Sequence, residues 1–189
     1  MTAKAIAAVV TSPGVVEIQQ FTVPAVSEDD AIVRIEASGI CGTDYEMFSG
    51  DLATPYPIIL GHEPLGIIQE IGPEASRRWG VSKGDRVAIY TSYRCGRCDA
   101  CVGANSELCP NKGKFGFTTA GRPPALWGGN AEVMYLPPGS VVYPIEKSLP
   151  SELAVLFNPL AGAFNWAVDA PGLQRGDSIA ILGPGQRGL

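Results

Sequence analysis

Residues 94–109 read RCGRCDACVGANSELC and place four of the chain's five cysteines in one short loop. Two residues separate each of the first three cysteines from the next. This spacing lets successive sulfur atoms face one side of a tight turn, which Gly96 favours. Four thiolates that converge from such a loop are a common tetrahedral zinc site. The pattern predicts a structural zinc ion held by Cys95, Cys98, Cys101 and Cys109.

A disulfide pair is the alternative for these cysteines. Cysteines this close in sequence bridge poorly, and an odd total leaves one thiol over. Nothing in the sequence indicates an oxidising compartment, so we expect a cytoplasmic protein. An ion enclosed by four sulfurs has no position for a substrate, and we expect it to hold the loop together rather than to catalyse.

The composition of the 189 residues limits the classes of function. The chain is 46% hydrophobic and 17% charged, which is typical of a packed globular protein. Its net charge is −5 and it has no run of Lys or Arg, so neither nucleic acid nor a membrane surface is an expected partner. The same balance disfavours a nucleic-acid-binding zinc ribbon, which the cysteine loop alone would permit.

Short runs rich in Val and Ile dominate the first part of the chain and are separated by Gly and Pro. This pattern predicts a mainly β fold, a barrel or a sandwich, up to about residue 147. From 148 to 189 the pattern changes to helical spacing of Ala and Leu, and we expect the opening elements of an α/β domain. The predicted strands are KAIAAVV, VVEIQQF, AIVRIEASGI, PLGIIQEIG, DRVAIY, AEVMYLP and SVVYPI.

The second region carries helix and turn signals. Ser148 is predicted to cap a helix that has Pro150 in its first turn, and Pro159 is predicted to start a second helical piece. A predicted strand, SIAIL, then leads into a glycine-rich turn. Three glycines there fit the G-x-G-x-x-G pattern of a dinucleotide-binding turn: Gly183, Gly185 and Gly188.

The fifth cysteine, Cys41, lies far upstream of the loop, and the chain has one histidine, His62, followed by Glu63. A catalytic zinc uses few protein ligands of these types and keeps one position open. A buried thiol and a hydrogen-bonded imidazole are the alternative. Thr43 and Asp44 after Gly42 are typical turn-capping residues as well as candidates for chemistry.

Five motifs occur in one order: GICGTDYEMFSG, PIILGHEPLGIIQEIG, KGDRVAIY, the cysteine loop, and SIAIL with GPGQRG. Together they span nearly the whole chain and resemble the zinc-dependent medium-chain alcohol and polyol dehydrogenases. The resemblance implies a GroES-like irregular β-barrel catalytic domain with a zinc lobe over 1–147. It also implies that 148–189 begin a Rossmann domain for NAD or NADP, and that hydride transfer interconverts an alcohol and a carbonyl compound.

The resemblance also implies roles for single residues. Cys41 and His62 match the ligands of the catalytic zinc, and Thr43 matches the hydroxyl that passes the substrate proton. Asp44 matches the carboxylate that orients the zinc-bound imidazole. Glu63 matches a carboxylate near the metal, which is a ligand in some states and lies outside the ligand shell in others.

Two positions depart from the family's pattern. Asn158, in NPL, stands where many relatives carry a further zinc ligand; it is either a weak ligand or the cap of the helix that Pro159 starts. Glu46 stands where several relatives carry a proton-relaying histidine. It favours a polyol or sugar substrate, although a solvated glutamate is an equal alternative.

The place where the sequence stops divides the functional hypotheses. We expect a fragment of a longer dehydrogenase that is inactive alone and acts, when whole, on a small alcohol, polyol or carbonyl substrate. The family usually associates through the cofactor domain, so a homo-oligomer is expected of the longer protein. The alternative is a stand-alone zinc-binding module with a structural or partner-binding role.

Overall fold

The structure, a computed structural model, describes residues 3–103, 105–183 and 185. It forms two compact units, the first ending at Val155 and the second beginning at Leu156. The mainly β expectation is confirmed, although the strands form three separate sheets and no closed barrel within the described residues. No helix in the described part of the chain is long and apolar enough to cross a bilayer.

All seven strands that were predicted before residue 147 form. Alternating or continuous apolar residues with many β-branched side chains drive this outcome, because such residues pack well on a pleated surface. Three further strands of two residues each had no sequence signal. The strands are β1 (Lys4–Ser12), β2 (Val15–Thr22), β3 (Ala31–Gly39), β4 (Ile58–Ile59), β5 (Glu63–Ile71), β6 (Arg86–Ile89), β7 (Ser92–Tyr93), β8 (Gly113–Lys114), β9 (Val133–Leu136) and β10 (Val142–Pro144).

The strands pair antiparallel throughout. One sheet has the order β2-β1-β4, the largest has the order β10-β6-β5-β3-β9, and β7 pairs with β8 alone. The pairing of β3 with β5 shifts register twice, between Ile32 and Val33 and again between Ile35 and Ala37. These irregularities set which residues face each other at the end of the strands, where Gly39 pairs with Glu63.

Five short helices complete the fold: α1 (Gly42–Ser49), α2 (Pro73–Trp79), α3 (Asp99–Val102), α4 (Ser151–Ala154) and α5 (Phe157–Phe164). A 3₁₀ turn covers Ser106–Leu108 and a π-helical turn covers Asn165–Asp169. Helix α1 was not predicted. Its sequence, GTDYEMFS, carries no clear apolar period, and its start depends on the side chain of Asp44, described below.

Buried apolar side chains form three clusters in the first unit. The largest surrounds Phe115 and Trp127, and the Trp127 ring stacks on Tyr93 at 5.5 Å between centroids. The second lies between the β1 sheet and β3, and the third packs under α1 around Met47. The elements that carry the candidate site are therefore fixed by packing on several sides.

A buried arginine fixes the end of the first unit. Arg86 is only 4% exposed and pairs with Glu36 at 2.8 Å. Its guanidinium also donates to the carbonyl of Leu149 and to the hydroxyl of Ser151, the latter at 2.7 Å. The chain that leaves β10 is thus tied to β6 before it enters α4.

The helix boundaries near residue 150 correct the predictions. Helix α4 begins at Ser151 with Pro150 as its N-cap, not at Ser148, because a proline disfavours helical backbone in the residue before it. Helix α5 begins at Phe157 with Leu156 as its N-cap, and Pro159 lies in its first turn, where its missing N–H costs nothing. Asn158 lies within the helix, so the interpretation of Asn158 as its cap is wrong.

The predicted strand SIAIL does not form. Residues 177–183 have no assigned strand, and Ile179, Ile181 and Leu182 are exposed. A strand requires a neighbour that pairs with its N–H and C=O groups, and no described residue supplies one here. Gly183 has a positive φ of 98°, as a glycine turn requires, whereas Gly188 lies outside the described residues.

Candidate metal centres

The four cysteines of the loop converge in the structure. Cys95 follows β7, Cys98 caps α3, Cys101 lies within α3, and Cys109 ends the 3₁₀ turn. Gly96 has φ of 72°, in the left-handed region, and reverses the chain between the first two cysteines. The four sulfur atoms all lie within 4.8 Å of one another.

The distances between these sulfurs fit a zinc ion. Cys95 Sγ lies 3.6 Å from Cys109 Sγ and 3.9 Å from Cys101 Sγ. Sulfurs at the corners of a tetrahedron around zinc, each about 2.3 Å from the ion, are about 3.8 Å apart. The backbone N–H groups of Arg97 and Cys98 lower the pKa of Cys95 to about 6, whereas burial and the neighbouring thiols raise the pKa of Cys101 to about 12, as expected when close thiols release their protons one after another.

A second cluster brings together the remaining cysteine and the histidine. The ligand atoms of Cys41, His62 and Glu63 all lie within 4.8 Å of one another. Cys41 precedes α1, whereas His62 and Glu63 lie at the start of β5, so the cluster joins two separate parts of the chain. His62 is 7% and Glu63 is 9% exposed. Sulfur, imidazole nitrogen and carboxylate oxygen are all zinc donors, so the residues present fit this ion.

Asp44 connects the two parts of this cluster. One carboxylate oxygen accepts the Cys41 N–H at 2.9 Å and so caps α1. The other lies 3.2 Å from His62 Nδ1 and accepts the N–H of Gly61 at 3.3 Å. Burial raises the pKa of Asp44, but the bonds from His62 and Cys41 outweigh it and leave the pKa below its usual value.

Three contacts fix the His62 ring and its backbone. Asp44 engages Nδ1, which leaves Nε2 for a metal. Thr91 Oγ1 donates to the His62 carbonyl at 2.9 Å, and the Phe117 ring packs on the imidazole at 5.2 Å between centroids. Burial lowers the pKa of His62, but the hydrogen bond and charge of Asp44 outweigh it and raise that pKa.

The Cys41 thiol lies beside a hydroxyl. Its sulfur is 3.8 Å from Thr43 Oγ1. Burial raises the pKa of Cys41, but hydrogen bonds from Thr43 and the nearby His62 outweigh it and lower that pKa. The predicted proton-handling hydroxyl therefore sits next to the predicted metal ligand.

Three other predicted residues belong to the second unit: Asn158, Gly183 and Gly185. Their roles as ligand and as cofactor-binding turn stay predictions. Glu46 is exposed on α1.

Sequence reasoning missed three contributors to the Cys41–His62 cluster: Gly39, Thr91 and Phe117. Gly39 ends β3 opposite Glu63, and its role depends on a strand register that two bulges shift. Thr91 and Phe117 flank the cysteine loop and contact His62 only through the tertiary fold. Gly39, the first glycine of ASGICG, was the one available signal, because a glycine in a strand often marks the close approach of another group.

Comparisons with known proteins show the family of this chain. The family model described as alcohol dehydrogenase GroES-like domain matches residues 27–147. A protein named as a probable alcohol dehydrogenase of Mycobacterium tuberculosis is 44% identical over 186 residues, which cover 97% of this chain and 51% of that protein. The sorbitol dehydrogenase of Bacillus subtilis is 34% identical over 188 residues, or 97% of this chain and 50% of that protein.

Solved structures extend the likeness to the fold. A structure described as a zinc-binding dehydrogenase from Sinorhizobium meliloti, bound to NADP, superposes with a TM-score of 0.74 at 28% identity. The match covers 93% of this chain and 48% of that one. The chain thus spans about half the length of the curated relatives it matches.

Proposed function

The chain belongs to the family of the alcohol dehydrogenase GroES-like domain, and from this premise we propose that it is the metal-binding part of an alcohol-oxidising enzyme. The reaction interconverts an alcohol and a carbonyl compound, with hydride exchanged between the substrate carbon and NAD or NADP. The observation that carries the proposal is the convergence of Cys41, His62 and Glu63 within 4.8 Å.

The two clusters have different tasks. The four-cysteine cluster offers only sulfur ligands, so a zinc ion there stabilises the loop between β7 and β8. The Cys41–His62–Glu63 cluster offers three donors and so leaves room for a substrate oxygen. A zinc ion bound there would act as a Lewis acid that lowers the pKa of an alcohol hydroxyl.

Thr43 is the proposed proton carrier. The proposal is supported by the position of its hydroxyl, which lies 3.8 Å from the sulfur of the proposed metal ligand Cys41. A hydroxyl can accept the proton of the substrate and donate its own in one relay. No second histidine exists in the chain to continue that relay, so the proton passes to solvent or to a carboxylate such as Glu46 on the exposed side of α1.

Asp44 is the proposed orienting residue. By holding His62 Nδ1, it fixes the imidazole tautomer that presents Nε2 as a ligand. By accepting the Cys41 N–H, it also fixes the start of α1 and hence the direction of the thiol. A single carboxylate thereby sets the positions of two ligands from different elements.

The cofactor and the substrate class rest on relatives. NADP is bound to the Sinorhizobium structure, and Gly183 and Gly185 fit the turn that a dinucleotide would contact. A polyol or sugar substrate is supported by the likeness to sorbitol dehydrogenase and by Glu46. The proposed reaction belongs to the whole enzyme. This chain spans about half the length of the relative it matches.

A stand-alone zinc-binding module is the second candidate. It is supported by the first compact unit, which contains both ligand clusters and the three apolar clusters. Hydride transfer separates the two candidates. If the zinc-loaded chain oxidises polyols with NAD or NADP, the hypothesis of a stand-alone module is rejected. If the chain binds zinc without turnover, the activity requires a longer protein.

Metal content per chain tests the proposal directly. We expect two zinc ions in the native chain and one in the Cys41→Ser variant, because that substitution removes a thiolate from the open centre only. Ser49→Ala is the control and should keep two, because Ser49 ends the same helix, is only half-buried and belongs to neither ligand cluster. One zinc in the native chain, unchanged by Cys41→Ser, would reject the open centre and leave only the cysteine loop.

A further inference from the structure

Gly39 and Glu63 face each other where β3 and β5 meet the metal cluster. They are direct antiparallel partners, the last residue of β3 and the first of β5. Side chains of such partners project on one face with Cβ atoms about 4.5–5.5 Å apart, so they compete for one space. Glu63 is 9% exposed, which limits the other positions open to its carboxylate.

The Glu63 side chain supplies the three atoms nearest to the position that a Cβ on Gly39 would take. A Cβ atom on Gly39 would lie 2.3 Å from Glu63 Oε2, 3.1 Å from its Cβ and 3.3 Å from its Cδ. An approach of 2.3 Å is far inside van der Waals contact and forces one partner to move. Gly39 is not among the residues with positive φ, so the backbone there does not itself demand glycine.

The carboxylate, not the strand, is the partner that moves. β3 lies inside the five-stranded sheet: β5 pairs with it as far as Gly39, and β9 holds its other side farther back, at residues 31–34. The terminal atoms of a glutamate rotate about side-chain torsions at much lower cost than a paired strand shifts. A side chain at position 39 would therefore turn the Glu63 carboxylate away from Cys41 and His62.

We propose that Gly39 is a positioning residue whose missing side chain leaves the space from which Glu63 reaches the Cys41–His62 centre. The inference rests on the proposed function, because it assumes a metal at that centre. It assigns to Glu63 a direct part in holding the ion and to Gly39 the control of that part.

Gly42 provides a matched control. It lies one residue after Cys41, whereas Gly39 lies two residues before it. A Cβ on Gly42 meets nothing within 4 Å, and Gly42 also has no positive φ. Alanine is a good helix former at this position, the first residue of α1. The two Gly→Ala substitutions thus differ mainly in the contact with Glu63.

The experiment measures metal binding on the full chain without an activity assay. Zinc competition with a chromophoric chelator gives the affinity, and the cobalt absorption spectrum, taken as a difference from Cys41→Ser, reports the ligands of the open centre. For Gly39→Ala we expect about 10- to 100-fold weaker zinc binding at that centre and a cobalt spectrum like that of Glu63→Ala. Gly42→Ala should match the native chain in both.

A double variant isolates the contact. In the Glu63→Ala background, adding Gly39→Ala should leave the spectrum unchanged and cost far less affinity than it does alone, because the displaced carboxylate is already gone and only the contact between the two Cβ atoms, at 3.1 Å, remains. If Gly39→Ala alone fails to fold, the double variant should fold, since loss of the carboxylate removes the much closer 2.3 Å contact.

Several outcomes would overturn the inference. Native-like affinity and spectrum in Gly39→Ala would show that the carboxylate is not displaced or not needed. An equal loss in the Glu63→Ala background, or misfolding of both variants, would place the effect in the backbone. A native chain with two metals and an unaffected Gly39→Ala rejects this inference alone, whereas a native chain with one metal rejects the proposed function as well.

Discussion

Asp44 shows how much a single side chain can determine at the residue scale. It accepts hydrogen bonds from Cys41 N–H, Gly61 N–H and the His62 ring, and it is only 4% exposed. From the sequence alone, a simple turn-capping role remained an alternative for Asp44. The structure shows that it caps α1 and holds His62 at once, because the two carboxylate oxygens point to different elements.

Asp44→Asn should damage both the fold and the open metal centre. An amide offers one acceptor oxygen and one NH₂ group, so at least one of the three donors loses its partner. We expect a loss of about 1–3 kcal/mol in the free energy of unfolding and about 10- to 100-fold weaker zinc binding at the Cys41 centre. Denaturant melts and zinc competition measure the two effects.

Asp51→Asn is the control for this change. Asp51 is exposed, and its carboxylate accepts a hydrogen bond from the Ser49 hydroxyl at 2.6 Å. We expect an effect within about 0.5 kcal/mol. Native-like stability and zinc affinity in Asp44→Asn would contradict the role given to this carboxylate.

At the scale of single elements, the cysteine loop has little structure of its own. Its secondary structure consists of α3 with four residues, a 3₁₀ turn of three, and the two-residue strands β7 and β8 that flank it. Helices this short are unstable in isolation. We therefore expect that the proposed ion, held by four converging sulfurs, is the main source of order in the loop.

Removal of zinc should disorder the loop and spare the sheets. After treatment with a strong chelator, we expect backbone amides in 95–112 to exchange with deuterium at rates close to those of an unfolded segment. Amides of β3 and β5, which lie inside the five-stranded sheet, should keep their protection. Hydrogen exchange followed by mass spectrometry distinguishes the two regions.

Cys101→Ser should reproduce the effect of the chelator on the loop, whereas Cys41→Ser should leave the loop protected. Loop amides that stay protected in the zinc-free protein would show that packing, and not the ion, orders this segment.

The elements differ in how well the sequence predicts them. The seven longer strands were predictable because their apolar β-branched runs and flanking turn residues are local signals. Strands β4, β7 and β8 span two residues each and owe their existence to a partner elsewhere in the chain. The SIAIL segment is the converse case, since a strong local pattern forms no strand without a paired neighbour.

At the scale of the whole molecule, the chain divides into two units of unequal character. The first contains every member of the three apolar clusters, both ligand clusters and all ten strands. The second exposes large apolar side chains such as Leu160, Phe164 and Trp166. Stability and metal binding should therefore reside in the first unit.

A chain that ends at Val155 should fold and bind two zinc ions with native affinity. Its melting temperature should stay within about 4 °C of that of the full chain, a shift that corresponds to less than about 1–2 kcal/mol. Differential scanning calorimetry and metal analysis test this. Loss of the zinc at the Cys41 centre alone would contradict the placement of metal binding in the first unit.

The site as a whole was only partly predictable. The cysteine loop could be predicted from spacing because its ligands lie within one short segment. The convergence of Cys41 with His62 required the family resemblance, since no local pattern relates residues from separate elements. Gly39 could not be found in either way, because its contact with Glu63 depends on two register shifts between β3 and β5.

The contacts of Arg86 matter for anyone who builds hybrid proteins from this family. Because this side chain bonds Leu149 and Ser151, residues up to the start of α4 behave as part of the first unit. A crossover placed at 147 would sever a buried guanidinium from its carbonyl and hydroxyl partners. Recombination after Val155 keeps this joint intact, and it is where a foreign second unit should be grafted.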